Sequence, residues 1–202
     1  PADFWPALDT FLKDMPGYID ELEGLITGNE IVLARTRDVG VLPAELAIAN
    51  SVSGPTLRGS SVLWDLRKAD PYDVYDRVEF DVPVGSNGDS WDRYAIRVEE
   101  IRQSLRIVEQ CMEQIPEGPF KTEVPWLIRP PSGDAYGHVE APKGELGFYL
   151  VSDGSIAAYR CKIRSPSFIT LTLLKEMVVG WKLADLIVIF GSTDIVMGEV
   201  DR

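Results

Sequence analysis

Residues 89–118 read DSWDRYAIRVEEIRQSLRIVEQCMEQIPEG and contain the longest helical pattern of the chain. Apolar side chains recur there at spacings of three and four residues: Trp91, Tyr94, Val98, Ile101, Leu105, Val108, Met112 and Ile115. This stripe predicts one long amphipathic helix that packs its apolar face into the core. Asp89 or Ser90 can cap the first turn, and Pro116 ends the helix.

Four elements are predicted on the N-terminal side of this helix. They are a helix over residues 3–27, a short helix over 43–52, an ordered loop over 54–69 and a half-buried strand or extended segment over 78–84. The helix over residues 3–27 is predicted because apolar residues recur there at helical spacing. Pro16 should kink or split that helix. The loop is predicted because its segment has no amphipathic period and contains glycine and proline, whereas residues 78–84 alternate apolar and acidic side chains.

Strands come first on the C-terminal side, and helices follow. The predicted strands cover 136–140, 148–152 and 157–163, and the predicted helices cover 168–179 and 181–190. Asp153-Gly154 is a hairpin turn signal. The pattern therefore predicts an α+β fold, predominantly helical with a small antiparallel β hairpin or sheet. We expect a mainly helical region over 1–118 and a hairpin with C-terminal helices and a tail over 134–202.

Composition excludes several function classes. The 202 residues carry a net charge of −12, so the electrostatic field of the whole chain disfavours binding to nucleic acid. The negative charge promotes either solubility or docking to basic partner subunits. The two cysteines, Cys111 and Cys161, form no CxxC motif, and His138 is the only histidine, so no disulfide scaffold, zinc site or iron–sulfur site is predicted. No apolar run reaches the roughly 18 residues of a transmembrane helix, so we expect neither a membrane-spanning helix nor a signal peptide in these residues. Because the first residue is Pro1, we expect the chain to be a piece of a longer protein.

Catalytic motifs are also missing, but three segments are unusual. The sequence has no phosphate-binding loop and gives little support for a serine or cysteine triad. Residues 54–68 form either a structural loop whose arginines pair with carboxylates or a loop near a cofactor path. Residues 140–145 hold a lysine between two carboxylates, at a surface turn or at the mouth of a cavity. The last nine residues form a frayed tail, or a functional tail whose apolar side chains are buried.

At these three segments the chain resembles the 49-kDa-type subunit of respiratory complex I, a relative of the nickel–iron hydrogenase large subunit. The strings that carry the resemblance are SGPTLRGS (53–60), WDLRK (64–68), PYDVYD (71–76), GDSWDRY (88–94), RQSLRI (102–107), EAPKGE (140–145), YRCKIR (159–164) and DIVMGEVDR (194–202). They follow one another in order over most of the chain after residue 50. The first 50 residues match less sharply.

The resemblance covers only the C-terminal half of the family member and implies the C-terminal part of a nickel–iron hydrogenase large-subunit-like fold, with the N-terminal half absent. In the hydrogenases a cysteine ligand of nickel falls at the position of Val196, which offers no thiolate, so the resemblance implies a cavity without nickel. Residues 116–136 are shorter here than in mitochondrial and many bacterial members, which carry a pair of histidines in this region.

The function implied by the resemblance is that of a quinone-site subunit of a proton-pumping NADH–quinone oxidoreductase, a translocase. Electrons would pass from NADH through an adjacent iron–sulfur cluster to quinone, the substrate. The cluster and FMN would belong to partner subunits: the iron–sulfur subunit, the 30-kDa-type subunit and the membrane arm, with no nucleic acid as a partner. The subunit would lie peripherally on the cytoplasmic face of the inner membrane or the equivalent organelle face, and the isolated fragment would be inactive.

The resemblance also implies site residues. Asp194 and Arg202 are the predicted catalytic residues: Asp194 orders the loop and joins a proton or charge-transfer network, and Arg202 pairs with an acid and fixes the tail. Val196, as an apolar wall, and Lys143 and Glu140 are the predicted quinone-binding residues. Two other interpretations compete. An energy-converting hydrogenase subunit would need the C-terminal CxxC that is missing here, whereas a non-catalytic scaffold or docking subunit of a hydrogenase-related membrane redox complex would not.

Overall fold

The computed structural model describes residues 3–119 and 121–201. The helices in these residues are α1 (Phe4–Leu22), α2 (Glu30–Thr36), α3 (Ala44–Ala49), α4 (Gly54–Gly59), α5 (Leu66–Ala69), α6 (Ser90–Gln114), α7 (Pro166–Thr172), α8 (Leu174–Val178), α9 (Leu183–Thr193) and α10 (Met197–Asp201). A π-helical turn (Glu23–Thr27) extends α1. The strands are β1 (Gly133–Ala141), β2 (Gly144–Ser152) and β3 (Arg160–Arg164). The predicted α+β class, mainly helical with a small antiparallel sheet, is confirmed.

The first helix runs without interruption through Pro16, so the predicted break is absent. Pro16 lies on the exposed side of α1. Water can therefore hydrogen-bond the carbonyl group that loses its N–H partner there. The amphipathic pattern of α1 outweighs the cost of one proline on its solvated face.

Residues 54–69 contain two short helices, α4 and α5, so the prediction of a loop was wrong. Every residue of α4 is buried, and a helix that is buried on all sides has no polar face to give it an amphipathic period. Gly54 has a φ of +69°, and a Cβ there would clash with the backbone of Gly144. This close approach brings the start of α4 against the turn between β1 and β2.

Residues 78–84 have no regular secondary structure, so the predicted strand is absent from the described residues. Val78 and Phe80 are buried, whereas the acidic residues Glu79 and Asp81 are exposed. Two side chains of α6 accept from the backbone of this segment: Gln110 Oε1 from the N–H of Glu79 at 2.8 Å and Gln103 Oε1 from the N–H of Asp81 at 2.9 Å. Glutamine side chains thus take the place of a neighbouring strand.

The long helix α6 begins after Asp89, whose side chain accepts from the N–H of Asp92, as predicted. The predicted core stripe is largely wrong, because only Val98 among its eight residues is buried. The buried residues of α6 are instead Ser90, Asp92, Arg93, Ile96 and Val98, all within its first nine residues. The three polar ones are satisfied by backbone groups, since Ser90 and Arg93 donate to carbonyl groups and Asp92 accepts from loop N–H groups.

The three strands form one antiparallel sheet in the order β1-β2-β3. A two-residue turn, Pro142-Lys143, joins β1 to β2, and Glu140 lies directly opposite Glu145. The three predicted strands are confirmed, although β3 begins at Arg160 rather than at residue 157.

The C-terminal helices complete the core. The last predicted helix is present as α9, but it begins at Leu183 and continues through Gly191 to Thr193. Its Ile189 is fully buried against residues from both halves of the chain: Val39, Leu42, Ala47, Val52, Leu57, Leu173 and Met177. This cluster joins α9 to α3, α4 and α8 and so fixes the position of the loop that follows α9.

Candidate functional site

A cavity of about 430 Å³ opens where α4, α5, α6, the β1–β2 turn and the loop after α9 meet. Seven of its lining side chains are charged: Arg58, Arg67, Arg97, Lys143, Glu100, Glu140 and Asp194. Ile101, Ala141 and Pro142 supply apolar surface. The cavity therefore combines four cations and three carboxylates with a small apolar wall.

Arg58 organises one side of this cavity from within α4. Its side chain is 1% exposed. One guanidinium nitrogen lies 2.9 Å from Glu140 Oε1 and another lies 2.5 Å from Glu100 Oε1. A third carboxylate, that of Asp65, lies 3.5 Å away, and the carbonyl group of Trp64 accepts a further hydrogen bond at 3.1 Å. The planar fork of arginine suits such a set of acceptors.

The pKa shifts in this cluster follow from burial and pairing. Burial alone would lower the pKa of Arg58, but the carboxylates of Glu100, Glu140 and Asp65 together raise it above its usual value. Burial raises the pKa of Glu140, and the attraction of Arg58 only partly opposes that rise. Glu140 is thus a carboxylate at a cavity wall whose protonation costs less than usual.

Lys143 and Asp194 meet on the other side of the cavity. Lys143 extends from the β1–β2 turn, and its ammonium group donates a short hydrogen bond to Asp194 Oδ2. Asp194 follows α9 in the left-handed conformation, with φ and ψ both 51°, which aspartate tolerates better than most residues. This conformation ends the helix and turns the carboxylate toward Lys143.

Two arginines of α6, one helical turn apart, hold the end of α9. Arg93 is fully buried and donates to Ser192 Oγ at 2.9 Å and to the carbonyl groups of Gly40 and Gly88. Burial, with the nearby charge of Arg97, lowers its pKa to about 10. Arg97 reaches the carbonyl groups of Ser192 and Thr193 and the carboxylate of Asp194. Burial lowers the pKa of Arg97, and Asp194 opposes that shift.

Three of the five predicted site residues come together, since Glu140, Lys143 and Asp194 all line the cavity. Val196 is not among the described residues that line it; its side chain is 45% exposed, and its N–H donates to Ser167 Oγ at 3.3 Å. Arg202 lies outside the described residues. The roles assigned to all five remain predictions.

The tail folds back onto α7, because the hydroxyl group of Ser167 donates to the carboxylate of Glu199. The expected burial of the tail's apolar residues is wrong for Val196 and Met197, which are exposed. Their side chains find no packed surface within the described part of the chain, and the carboxylate of Glu199 ties the segment down instead.

Sequence reasoning missed Arg97 and Glu100 as cavity residues. A signal for them was present, because Arg93, Arg97, Glu100 and Ser104 recur at spacings of four, three and four and so share one face of α6. The apolar stripe of the same helix lies on the neighbouring face, and its Ile101 also lines the cavity. The arginines of residues 54–68 do pair with carboxylates, and they also line the cavity, so the two interpretations of that segment are compatible.

No group of three or more histidine, cysteine, aspartate or glutamate side chains in residues 3–119 and 121–201 is arranged to hold a metal ion. Cys111 and Cys161 are free thiols on separate elements. These residues do not fit a thiolate-bound nickel centre. None of the described helices combines the length and the hydropathy needed to cross a membrane.

The fold and the site define a class: an α+β chain with a charge-lined cavity between a buried arginine helix, a β-turn and the end of a C-terminal helix. The sequence matches the family described as respiratory-chain NADH dehydrogenase, 49 Kd subunit, over residues 1–128 and 123–202. The chain belongs to this family.

Named relatives agree with this assignment, and each is a D-type subunit of an NADH-quinone oxidoreductase. Over all of the chain, it is 57% identical to the relative from Dehalococcoides mccartyi, covering 55% of that protein. It is 52% identical to the relative from Roseiflexus sp., again over all of the chain and 56% of the relative. The relative from Herpetosiphon aurantiacus is 54% identical over 98% of the chain and 55% of its own length. The chain thus spans about half the length of the curated relatives it matches.

Proposed function

We propose that this chain forms part of the quinone site of an NADH–quinone oxidoreductase, as the subunit that helps bind the quinone to which electrons pass from an iron–sulfur cluster in an adjacent subunit. One observation carries the proposal. Glu140, Lys143 and Asp194, which belong to two motifs about 50 residues apart in the sequence, face one cavity. A site that binds one ligand needs side chains from different segments of the chain to face the same cavity.

The charges of the cavity suit the chemistry of quinone reduction. Two electrons and two protons enter the headgroup, and negative charge develops on its oxygens as the electrons arrive. Lys143 is a cation that can donate a hydrogen bond to such an oxygen. Glu140 is a carboxyl group whose pKa burial raises, so it can hold a proton closer to neutral pH than an ordinary glutamate.

Other parts of the proposal concern groups beyond this chain. A quinone pocket is largely apolar with few polar groups, whereas this cavity is mostly charged. We infer that it forms one wall of the pocket and that Val196 adds apolar surface to it. The iron–sulfur cluster, FMN and the NADH site belong to partner subunits in this proposal. Proton translocation belongs to the membrane arm in this proposal. The subunit lies peripherally on the cytoplasmic face, and Arg202 fixes the C-terminal tail.

Photolabelling and kinetics test this function in membranes that contain the complete oxidoreductase. A photoreactive quinone analogue should label residues 140–143 or 194–202. Lys143→Gln should raise the quinone KM about tenfold, because a hydrogen bond from a charged donor is lost. Lys162→Gln is the matched control, since Lys162 is an exposed lysine of β3 outside the cavity. An unchanged KM in Lys143→Gln, with label elsewhere, would favour a scaffold role.

A further inference from the structure

Asp194 presents one carboxylate oxygen to two cations. Lys143 Nζ donates to Asp194 Oδ2, and Arg97 Nε lies 3.2 Å from the same oxygen. The two cations approach from different elements, because Lys143 extends from the β1–β2 turn and Arg97 from α6. Together they carry one positive charge more than Asp194 needs for neutralisation.

The two cations are held very differently. The guanidinium group of Arg97 donates to the carbonyl groups of Arg93, Ser192 and Thr193 at 2.7, 2.8 and 3.3 Å. These bonds fix it between α6 and the end of α9. The ammonium group of Lys143 donates to Asp194 alone among the described residues, at the end of a flexible four-carbon side chain. Arg97 is therefore the fixed partner of Asp194 and Lys143 the movable one.

We propose that Arg97 is a positioning residue that keeps Asp194 neutralised, so that Lys143 can leave Asp194 and donate its hydrogen bond to an oxygen of a bound quinone. This inference rests on the proposed function of the cavity. In this role Arg97 acts through Asp194 rather than by a hydrogen bond of its own to the ligand. Its guanidinium group lowers the electrostatic cost of separating Lys143 from Asp194, because a cation remains beside the carboxylate after the lysine has moved.

A suppressor experiment separates this role from a structural one. In the complete membrane-bound oxidoreductase, Arg97→Gln leaves Lys143 as the only cation on Asp194 and so holds the lysine there. We expect the quinone KM to rise about tenfold, toward that of Lys143→Gln. Adding Asp194→Asn to Arg97→Gln removes the carboxylate and frees Lys143. The KM of the double variant should then fall back toward the wild-type value, even if kcat is reduced.

Controls make each result decisive. Arg102→Gln changes an arginine of the same helix that pairs with Asp20 and Glu23 away from the cavity, and its KM should not change. NADH oxidation with an artificial electron acceptor reports assembly. If Arg97→Gln does not assemble, Arg97→Lys carries the test, because it keeps a cation beside Asp194 and should retain a KM near the wild-type value.

The failures can be told apart. An unchanged KM in Arg97→Gln, a double variant with the same high KM as the single variant, or an Arg97→Lys KM as high as that of Lys143→Gln would each overturn the role of Arg97. An unchanged KM in Lys143→Gln would instead overturn the proposed function of the cavity.

Discussion

Arg58 is a buried cation that three carboxylates surround, with a side chain that is 1% exposed. An unpaired charge in this position would cost several kcal/mol, so each partner is required by the others. Glu140 completes the set through Oε2, which accepts from the N–H of Leu66 at 3.3 Å. The network fixes Glu140 at the cavity wall from three elements, α4, α5 and α6, and this rigidity is what a binding site needs.

A second polar cluster lies farther along β1. His138 contacts Glu145 Oε1 through Nδ1 at 2.8 Å and Asp70 Oδ2 through Nε2 at 3.1 Å. The hydroxyl group of Tyr136 donates to the same oxygen of Glu145, and Arg164 lies 3.5 Å from the other carboxylate oxygen. The hydrogen bond to Glu145 raises the pKa of His138 above 6.5, burial opposes the rise, and Asp70 adds to it.

The titration of His138 predicts a pH dependence of stability. Because the pKa is higher in the folded chain, protonated His138 stabilises the fold fully below pH 6.5, and this contribution is lost as the pH rises through the folded value. We expect His138→Gln to remove about 0.5 kcal/mol of stability at low pH. Urea unfolding below pH 6.5 and at alkaline pH measures it. The prediction is wrong if wild type and variant lose equal stability between the two conditions.

At the scale of elements, α6 combines two functions on two faces. Arg93, Arg97 and Glu100 lie on the face that meets the cavity and the end of α9. On another face, the side chains of Gln103 and Gln110 accept hydrogen bonds from backbone N–H groups of segment 78–84. The apolar stripe that predicted the helix is mostly half-buried. The helix was predictable from its period, but the importance of its polar face was not, because period alone does not tell which face meets a cavity.

The start of α6 also contacts a segment about 50 residues earlier in the chain, around Asp38. Asp89 is fully buried; its Oδ1 accepts from the N–H of Asp92 and its Oδ2 from the N–H of Asp38, both at 2.8 Å. Asp89→Ala should lower the free energy of unfolding by about 2–3 kcal/mol, as the sum of a lost cap at the N–H of Asp92 and a lost hydrogen bond from the N–H of Asp38. Urea unfolding monitored by circular dichroism measures the loss.

The matched control is Asn29→Ala, which removes the exposed cap of α2. It should cost only about 0.5–1 kcal/mol, because water can bond the freed N–H groups. Equal losses in the two variants would contradict a special role for the buried aspartate.

At the scale of the whole molecule, the described surface includes several large apolar side chains that are strongly exposed. Trp126 is 98% exposed, Leu183 80% and Ile187 73%. Leu183, Ile187 and Phe190 form a stripe along α9 at spacings of four and three. Contiguous apolar surface of this kind usually contacts another surface, and the chain spans about half the length of its curated relatives.

We therefore expect the 202-residue chain by itself to self-associate as its concentration rises. Replacing Leu183 and Ile187 by lysine should shift sedimentation-velocity profiles toward the monomer. The control places two lysines at exposed polar positions, Gln114 and Ser155, and adds the same charge without removing apolar surface. An equal shift in both variants would attribute the effect to net charge rather than to the stripe on α9.

The sequence by itself determined the family, the α+β class, the long helix and the three strands, because motif strings and periodicity are local properties of the chain. It also singled out Glu140, Lys143 and Asp194, through motifs that share no local pattern. Only the tertiary structure brought those three residues to one cavity and showed that Arg58, Arg97 and Glu100 complete it. It also replaced the predicted loop by α4 and α5, and α4 escaped prediction because a fully buried helix shows no period. The physical reason is that a buried charge is tolerable only beside its partner, and that partner lies far away in the sequence, where no local pattern can reveal it.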